Sequence, residues 1–351
     1  MSLFFTAFLI SAFVSFLIIK TQEWHGSHSY DHDLYGVQKF HDVPTPRIGG
    51  IAIFFSIIIV VNYNILIGKY VTDLGLWWIV AAIPVFLGGL IEDIKKNVTV
   101  KDRLLLAFLS ATIAYYSIGA QFLYIDWLWF EQNILTFYGV SLFLTIIMVG
   151  GVANATNIID GFNGLLLGYI FMVLSVITLV TYQITDIELM KLSLIFQGSV
   201  LGLFVFNFPK GKIFSGDSGA YLVGFLIATL SLLLVNRNSQ VSPWFPLAVL
   251  IYPVFETFFS IYRKKVLRNK SPSKPDAIHL HMLIYQRLVS NKAKYKNALT
   301  SIIIWSLTLP NILLALFYWD NTIILIFSAL LFCVLYVWFY FKIVRFKFRK
   351  N

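Results

Sequence analysis

Five groups of polar side chains interrupt an otherwise apolar chain of 351 residues, and each carries atoms able to hold phosphate, metal or sugar. Asn154, Asn157 and Asp160 follow one another at intervals of three, with Gly161, Asn163 and Gly164 behind them. If the preceding helix continues through them, they lie on one slowly rotating strip that Asp-Gly and Asn-Gly then end. Amides and a carboxylate so placed can hold a metal, a sugar or a base edge; the same residues also make a helix terminus and turn. A second group runs from Asn207 through Lys210 and Lys212 to Phe214, Gly216, Asp217 and Gly219. Glycines there allow close backbone approach, and helix-start amides favour phosphate oxygens. Asp217 can hold Mg²⁺ against a diphosphate, since that ion is usually bound by one or two carboxylates plus substrate oxygens; a Gly-rich turn with Asp217 as N-cap is the plainer alternative.

The third group is Glu92-Asp93, with Lys95, Lys96, Lys101 and Arg103 close behind. Adjacent carboxylates can divide metal binding and proton acceptance when repulsion or a cation separates their pKa values; a solvated loop end has the same composition. The fourth places Lys39, His41 and Arg47 before Gly49-Gly50. Its cations can clamp phosphates or serve topology alone, and its glycines can let helices pack closely. The fifth is Asp276, His279, His281 and Arg287, preceded by Arg263, Lys264, Lys265 and Arg268. His279 and His281 share a face only in an extended segment, where they can grip phosphate or ligate a metal; a basic juxtamembrane loop reads similarly. HExxH, GxxxxGK[ST] and GxSxG are absent, which counts against zinc proteases, P-loop ATPases and serine hydrolases.

The elements that must position these groups are written in the composition. The chain is 58% hydrophobic, 17% aromatic and 13% charged, with a mean hydropathy of +0.78. A soluble domain carries about 25% charged residues, so an ordinary soluble globule is excluded, as is a disordered tail. Cys333 is the only cysteine, which rules out an internal disulfide and CxxC zinc pairs. Apolar runs at 1–19, 48–68, 74–91, 104–122, 138–153, 164–182, 190–207, 219–235, 244–262, 299–319 and 322–341 predict about eleven transmembrane helices. Met1-Ser2-Leu3 lacks the positive region of a signal peptide, so the first run reads as a retained span. The expectation is an all-α, polytopic integral membrane bundle forming one domain over 1–351.

Charge placement orients it. Of the 27 Lys and Arg residues, all but Lys69, Lys191 and Arg237 fall on one side, in segments 20–47, 92–103, 154–163, 207–218, 263–298 and the tail from 342. The positive-inside bias makes that side cytoplasmic, with the N-terminus out and the C-terminus in. All six histidines and most acids share it; Glu256 alone lies within a span, near its cytoplasmic end. A net charge of +10 gathered on one membrane face suits lipid headgroups and anionic substrates better than nucleic acid.

Taken together, these groups make the chain resemble the polyprenyl-phosphate N-acetylhexosamine-1-phosphate transferase family, from about Asp33 to Arg287 and with the motifs in family order. The family's acidic pair falls on Glu92-Asp93, and its NxxNxxDG motif on Asn154, Asn157, Asp160 and Gly161. Its FxGDxG motif falls on Phe214, Gly216, Asp217 and Gly219, and its histidine motif on His279 and His281. The resemblance implies transfer of a sugar phosphate from a UDP-N-acetylhexosamine, by default UDP-N-acetylglucosamine, to undecaprenyl phosphate. The products would be undecaprenyl-diphosphate-sugar and UMP, the first step of a cell-envelope glycan such as O-antigen at the bacterial inner membrane. It further implies Mg²⁺, with Mn²⁺ as the alternative ion, membrane lipids as surroundings and a homodimer as one assembly. Asp217 and Asp93 would bind the metal, and Asp93, Asp160 and Glu92 would carry catalysis. Asn154, Asn157, Asn163, Asn207 and Phe214 would hold the nucleotide sugar, and Lys39, Arg47, Arg263, His279 and His281 the phosphates. The chain departs from the family pattern at Glu92, where an Asp is usual, at Asn163, where many relatives have Asp, and at Met282, which shortens the histidine run. The competing reading is a transporter of an anionic substrate, which would tend to place charges at mid-membrane.

Overall fold

The computed structural model describes residues 2–31, 44–68, 73–267, 269 and 278–345. Each apolar run is helical, as expected where lipid leaves backbone N–H and C=O groups no partner outside their own segment. In chain order the helices are α1 (Ser2–Lys20), α2 (Gln22–Ser29), α3 (Gly50–Leu66), α4 (Asp73–Lys95), α5 (Val100–Ser117), α6 (Leu128–Phe130), α7 (Tyr138–Ile159) and α8 (Leu165–Gln183). They continue with α9 (Ile187–Asn207), α10 (Gly216–Arg237), α11 (Phe245–Val249), α12 (Ile251–Tyr262), α13 (Leu280–Arg287), α14 (Lys296–Phe317) and α15 (Thr322–Arg345). Extended structure among the described residues is a two-residue antiparallel pairing of β1 (Tyr30–Asp31) with β2 (Thr45–Pro46).

Among the described residues, eight helices are long and apolar enough to cross a membrane: α1, α4, α7, α8, α9, α10, α14 and α15. The sequence predicted eleven, and the difference lies in three places. Helix α3 has 17 residues, and the first turn of α5 carries Lys101, Asp102 and Arg103. The run 244–262 is two helices, because the backbone leaves helical geometry at Leu250 (φ −108°, ψ 11°). Carbonyls at this break find side-chain donors: Asn311 donates to Ala248 at 2.6 Å and the Tyr169 hydroxyl to Val249 at 2.6 Å. Such donors make a broken helix tolerable inside a membrane protein.

Helix α10 is the axis, buried from Gly216 to Val235 and packed by α3, α4, α5, α7 and α8. A helix enclosed on every side is apolar all round, and α10 has that pattern. Trp78 of α4 donates to Thr229 of α10 at 2.9 Å, and the Val85 N–H beside Pro84 donates to Ser110 of α5 at 2.9 Å. On one flank, buried Ala7, Ser11 and Ser15 of α1 line up at intervals of four toward α9. Gly198 and Gly202 of α9 accept them: a Cβ at Gly202 would stand 2.6 Å from the Phe8 carbonyl oxygen. This is the small-residue packing that helices use where no hydrophobic force separates lipid from protein.

Candidate active site

The site forms where the N-terminus of α10 meets the ends of α4, α5 and α7. Segments 46–50 and 214–215 are fastened together by backbone: Phe214 N–H donates to Pro46 at 2.8 Å, Gly49 to Phe214 at 2.9 Å and Gly50 to Ser215 at 2.9 Å. Arg47 N–H donates to Ser29 at 2.8 Å, so α2 also fixes its position. Gly216 then opens α10 at φ +70°, a conformation that suits glycine, and a Cβ there would collide with the Arg47 carbonyl oxygen at 2.0 Å. The sequence Pro46 to Gly50 thereby hangs the Arg47 side chain over the first turn of α10.

Asp93, fully buried near the end of α4, caps that turn. Its Oδ1 accepts the Asp217 N–H at 2.8 Å; its Oδ2 accepts the Ser218 N–H at 2.9 Å and the Ser218 hydroxyl at 2.6 Å. The approach is possible because position 89 is glycine: a Cβ there would stand 2.4 Å from the Ser218 nitrogen. An anionic cap at a helix start is favoured by the unpaired N–H groups and the helix dipole. Both Asp93 oxygens are thus engaged by α10, and Arg47 Nε lies 3.4 Å from Oδ1.

Asp217 meets two guanidinium groups, Arg47 through Nη2 and Arg103 through Nη1. The Asp160 carboxylate, just beyond α7, accepts the Ser215 hydroxyl at 2.5 Å. Burial pushes the Asp160 carboxyl up to about 6, against the lowering pull of the Ser215 hydroxyl and the Arg47 charge. Three aspartates from α4, from the end of α7 and from α10 therefore gather around one arginine. Tyr221, one turn along α10 from Asp217, donates to Asn154 at 2.9 Å and lies under Arg103, 5.7 Å from its guanidinium carbon.

The remaining predicted residues divide. Asn157 is half-buried one turn beyond Asn154, and Phe214 is half-buried beside the start of α10. Asn207 joins two backbones, accepting from Gly164 at 2.5 Å and donating to Ile213 at 2.7 Å. Asn163 does likewise, its side chain donating to Pro209 at 3.1 Å while its own N–H donates to Asn297 at 2.6 Å. Both are among the residues expected to hold the nucleotide sugar, and in the folded chain their amides also brace the loops around Asp160. Glu92 accepts from Val98 at 2.8 Å and shapes the turn leading into α5. His281 reaches the group from another direction: a Cβ at Gly161 would stand 3.4 Å from its Nε2, and its ring packs edge-on to Phe162. His279 stacks parallel to His281 with centroids 5.4 Å apart. Arg263 donates to Ile278 at 2.6 Å and to Tyr340 at 2.9 Å, at the base of the histidine loop. Lys39 lies outside the described residues.

Arg103 is the contributor that motif reading did not single out. A signal was present: Thr99 and Asp102 form a reciprocal capping box, which starts α5 at Val100 and puts Arg103 in its first turns. Among the described residues, no three His, Cys, Asp or Glu side chains form a ready metal cage. The donor set fits a magnesium ion that arrives with phosphate, which needs only one or two carboxylates from the protein. Asp217, expected from the sequence to hold the metal, and Asp160 are the carboxylates that would supply them; Asp93, the other expected ligand, has both oxygens engaged by the start of α10.

Comparison with known proteins decides the family. Residues 75–235, which include Asp93, Arg103, Asp160 and Asp217, match the family described as glycosyl transferase family 4. The chain belongs to that family. It is 32% identical over 251 residues to the probable undecaprenyl-phosphate N-acetylglucosaminyl 1-phosphate transferase of Bacillus subtilis, covering 70% of this chain and 66% of that one. It is 26% identical over 285 residues to the decaprenyl-phosphate N-acetylglucosaminephosphotransferase of Mycobacterium leprae, covering 70% and 68%. Against the undecaprenyl-phosphate alpha-N-acetylglucosaminyl 1-phosphate transferase of Thermotoga maritima it is 27% identical over 277 residues, covering 79% and 80%. The match to the Bacillus protein leaves about a third of that relative's length unaligned. The three aspartates lie within the family region; His279, His281 and Glu256 lie beyond it.

Proposed function

We propose that this glycosyl transferase family 4 protein moves N-acetylhexosamine-1-phosphate from a UDP-sugar, UDP-N-acetylglucosamine by default, onto undecaprenyl phosphate. The reaction takes place at the cytoplasmic face of a bacterial plasma membrane, with N-terminus out and C-terminus in, and opens the assembly of a cell-envelope glycan such as O-antigen. The observation that carries the reading is the meeting of Asp217 with Arg47 and Arg103 beside Asp160, at one end of an apolar bundle. Named relatives that use polyprenyl phosphates support it.

A phosphate oxygen of the lipid attacks the β-phosphorus of the UDP-sugar. The new P–O bond forms as the bond from that phosphorus to the bridging oxygen breaks, and UMP leaves. The second pKa of a phosphate monoester is about 6, so the attacking group is largely dianionic at neutral pH and no strong base is required. What opposes the reaction is the approach of one anion to another. Arg47 and Arg103 stand where they can pair with diphosphate oxygens, holding the donor bidentately. Asp217, with Asp160 across Ser215, would hold a magnesium ion, which supplies charge neutralisation to the diphosphate when bound. Asp93 acts through α10, aiming Asp217 rather than touching the substrate. His281 adds a ring at the Asp160 loop. Glu256, the interior acid on which a transport reading would draw, is already engaged by His279, Leu280 and Tyr336.

Purified protein in detergent, given polyprenyl phosphate, Mg²⁺ and a panel of UDP-sugars, should release UMP with at least one N-acetylhexosamine donor. Absence of UMP with every donor, alongside flux of an anionic solute into vesicles, would overturn the reading in favour of transport.

A further inference from the structure

A second buried network lies away from the aspartates, where α12, α13 and α15 meet. Glu256 of α12 is wholly enclosed, and every partner seen on its carboxylate comes from another element. His279 Nδ1 lies 2.9 Å from Oε1; Oε2 accepts the Leu280 N–H at 3.3 Å and the Tyr336 hydroxyl at 2.6 Å. A carboxylate only accepts, so His279 Nδ1 carries a proton and the rest of that ring's acid–base chemistry is confined to Nε2. The loop before α13 is tied at its base as well: Arg263 and Tyr340 both donate to the Ile278 carbonyl, at 2.6 and 3.1 Å. His279 lies flat against His281, whose Nε2 borders Gly161, and the Tyr252 hydroxyl meets His281 Nδ1 at 3.2 Å. A continuous line thus runs from the last helix through Tyr336, Glu256, His279 and His281 to the loop of Asp160.

We propose that Glu256 and Tyr336 are positioning residues that act through His279, setting its tautomer and the plane of the stacked imidazoles at the sugar-phosphate site. This rests on the transferase reading, and it makes α15, which lies outside the family-matched region, part of the active machinery. Burying a carboxylate is costly unless it is fully hydrogen-bonded, and packing alone would be served by an apolar side chain. A buried acid whose partners include a histidine next to the site orients that histidine, as carboxylates orient imidazoles in other enzymes.

The test is a double-mutant cycle on the full chain, with Glu256→Gln and Tyr336→Phe each made alone and in a His279→Gln background. Glutamine at 279 keeps a side-chain donor for Glu256 and removes the ring. Each single variant should lower kcat/KM by about 5-fold or more, and change it by less than about 2-fold once His279 is replaced, because coupled residues are not additive. Equal losses in both backgrounds, in protein that melts normally, would overturn the proposal and leave a purely structural role. A second measurement does not depend on turnover. In ¹⁵N-histidine-labelled protein the His279 Nδ1 should be protonated, and Glu256→Gln should shift that signal. A His279 ring with bare Nδ1 in the unaltered protein would sink the inference even if UMP release were normal. If no donor gives UMP while Nδ1 is protonated and responds to Glu256→Gln, the reaction assignment fails and the positioning geometry stands.

Discussion

Asp93 holds Ser218 twice, through the backbone N–H at 2.9 Å and the hydroxyl at 2.6 Å, so a carboxylate on α4 serves as the cap of α10. It also receives the N–H of Asp217, the residue whose carboxylate faces the two arginines. Replacing Asp93 with Ala leaves these buried donors unmet, at a cost of about 1–3 kcal/mol each. Asp93→Ala should therefore lower the melting temperature as well as UMP release. Asp93→Asn, which keeps one acceptor oxygen, should melt between Asp93→Ala and the unaltered protein. Melting curves in detergent, run beside the rate assay, check the order.

Asp217 does not cap α10 but pairs with Arg47 and Arg103, and asparagine keeps its size and one acceptor oxygen, so Asp217→Asn should fold and lose less melting temperature than Asp93→Ala. Its turnover should fall by about 100-fold or more, the scale seen when a preorganised electrostatic contact at a reacting group is removed. A near-normal rate with unchanged Mg²⁺ dependence would show that the ion is held elsewhere.

Arg103 contacts Asp217 and lies over the ring of Tyr221, two roles that depend on a planar, forked cation. Lysine keeps the charge and loses both geometries. Arg103→Lys should therefore raise KM for the UDP-sugar by about 10-fold, a bidentate contact to phosphate being worth roughly 1–3 kcal/mol. Unchanged KM would place the diphosphate away from α5.

The Asp160 carboxyl is raised to about 6, so its charged form is lost as the pH falls through that value. If the ionised form holds the cation, kcat/KM should decline on the acid side of about pH 6. The lipid phosphate titrates in the same range, so the limb alone does not identify the group. Ser215→Ala does: the Ser215 hydroxyl lowers the Asp160 value, and its removal should move the acid limb to higher pH. A limb that stays in place in Ser215→Ala belongs to the phosphate.

Gly202 faces the α1 backbone with no room for a side chain. Gly202→Leu should push α1 from α9 and lower both yield and melting temperature, while Gly151→Ala, at a position with nothing within 4 Å of a Cβ, should not. Comparison of the two variants separates helix packing from a general intolerance of substitution.

Much of the fold was legible because hydropathy is a local property. A run such as 219–235 announces a helix without reference to anything else, and it became α10. The break at Leu250 had one local signal, Pro253, which leaves the Val249 carbonyl without its helical donor; the donors that replace it, from Asn311 and Tyr169, are distant in sequence and were not legible. The candidate site followed the same division. Asp160, Asp217 and Arg47 stood out by type and by the glycines around them, and they share one end of the bundle. The bracing role of Asn163 and Asn207 was not legible, because their amides join backbone segments that only the folded chain brings together. Arg103 was hidden among loop charges, although its capping box was there to be read.

The backbone fastening of 46–50 to 214–215 constrains how the site can respond to ligand. Arg47 and Asp217 cannot separate by loop movement without breaking several main-chain hydrogen bonds, so their pairing must open by rotation of side chains. Asp217 is buried and Arg47 largely so, so this rotation is tied to the departure of the buried charges from one another and needs no hinge. A ligand that draws Arg47 away from Asp217 can therefore do so with the surrounding main chain unmoved.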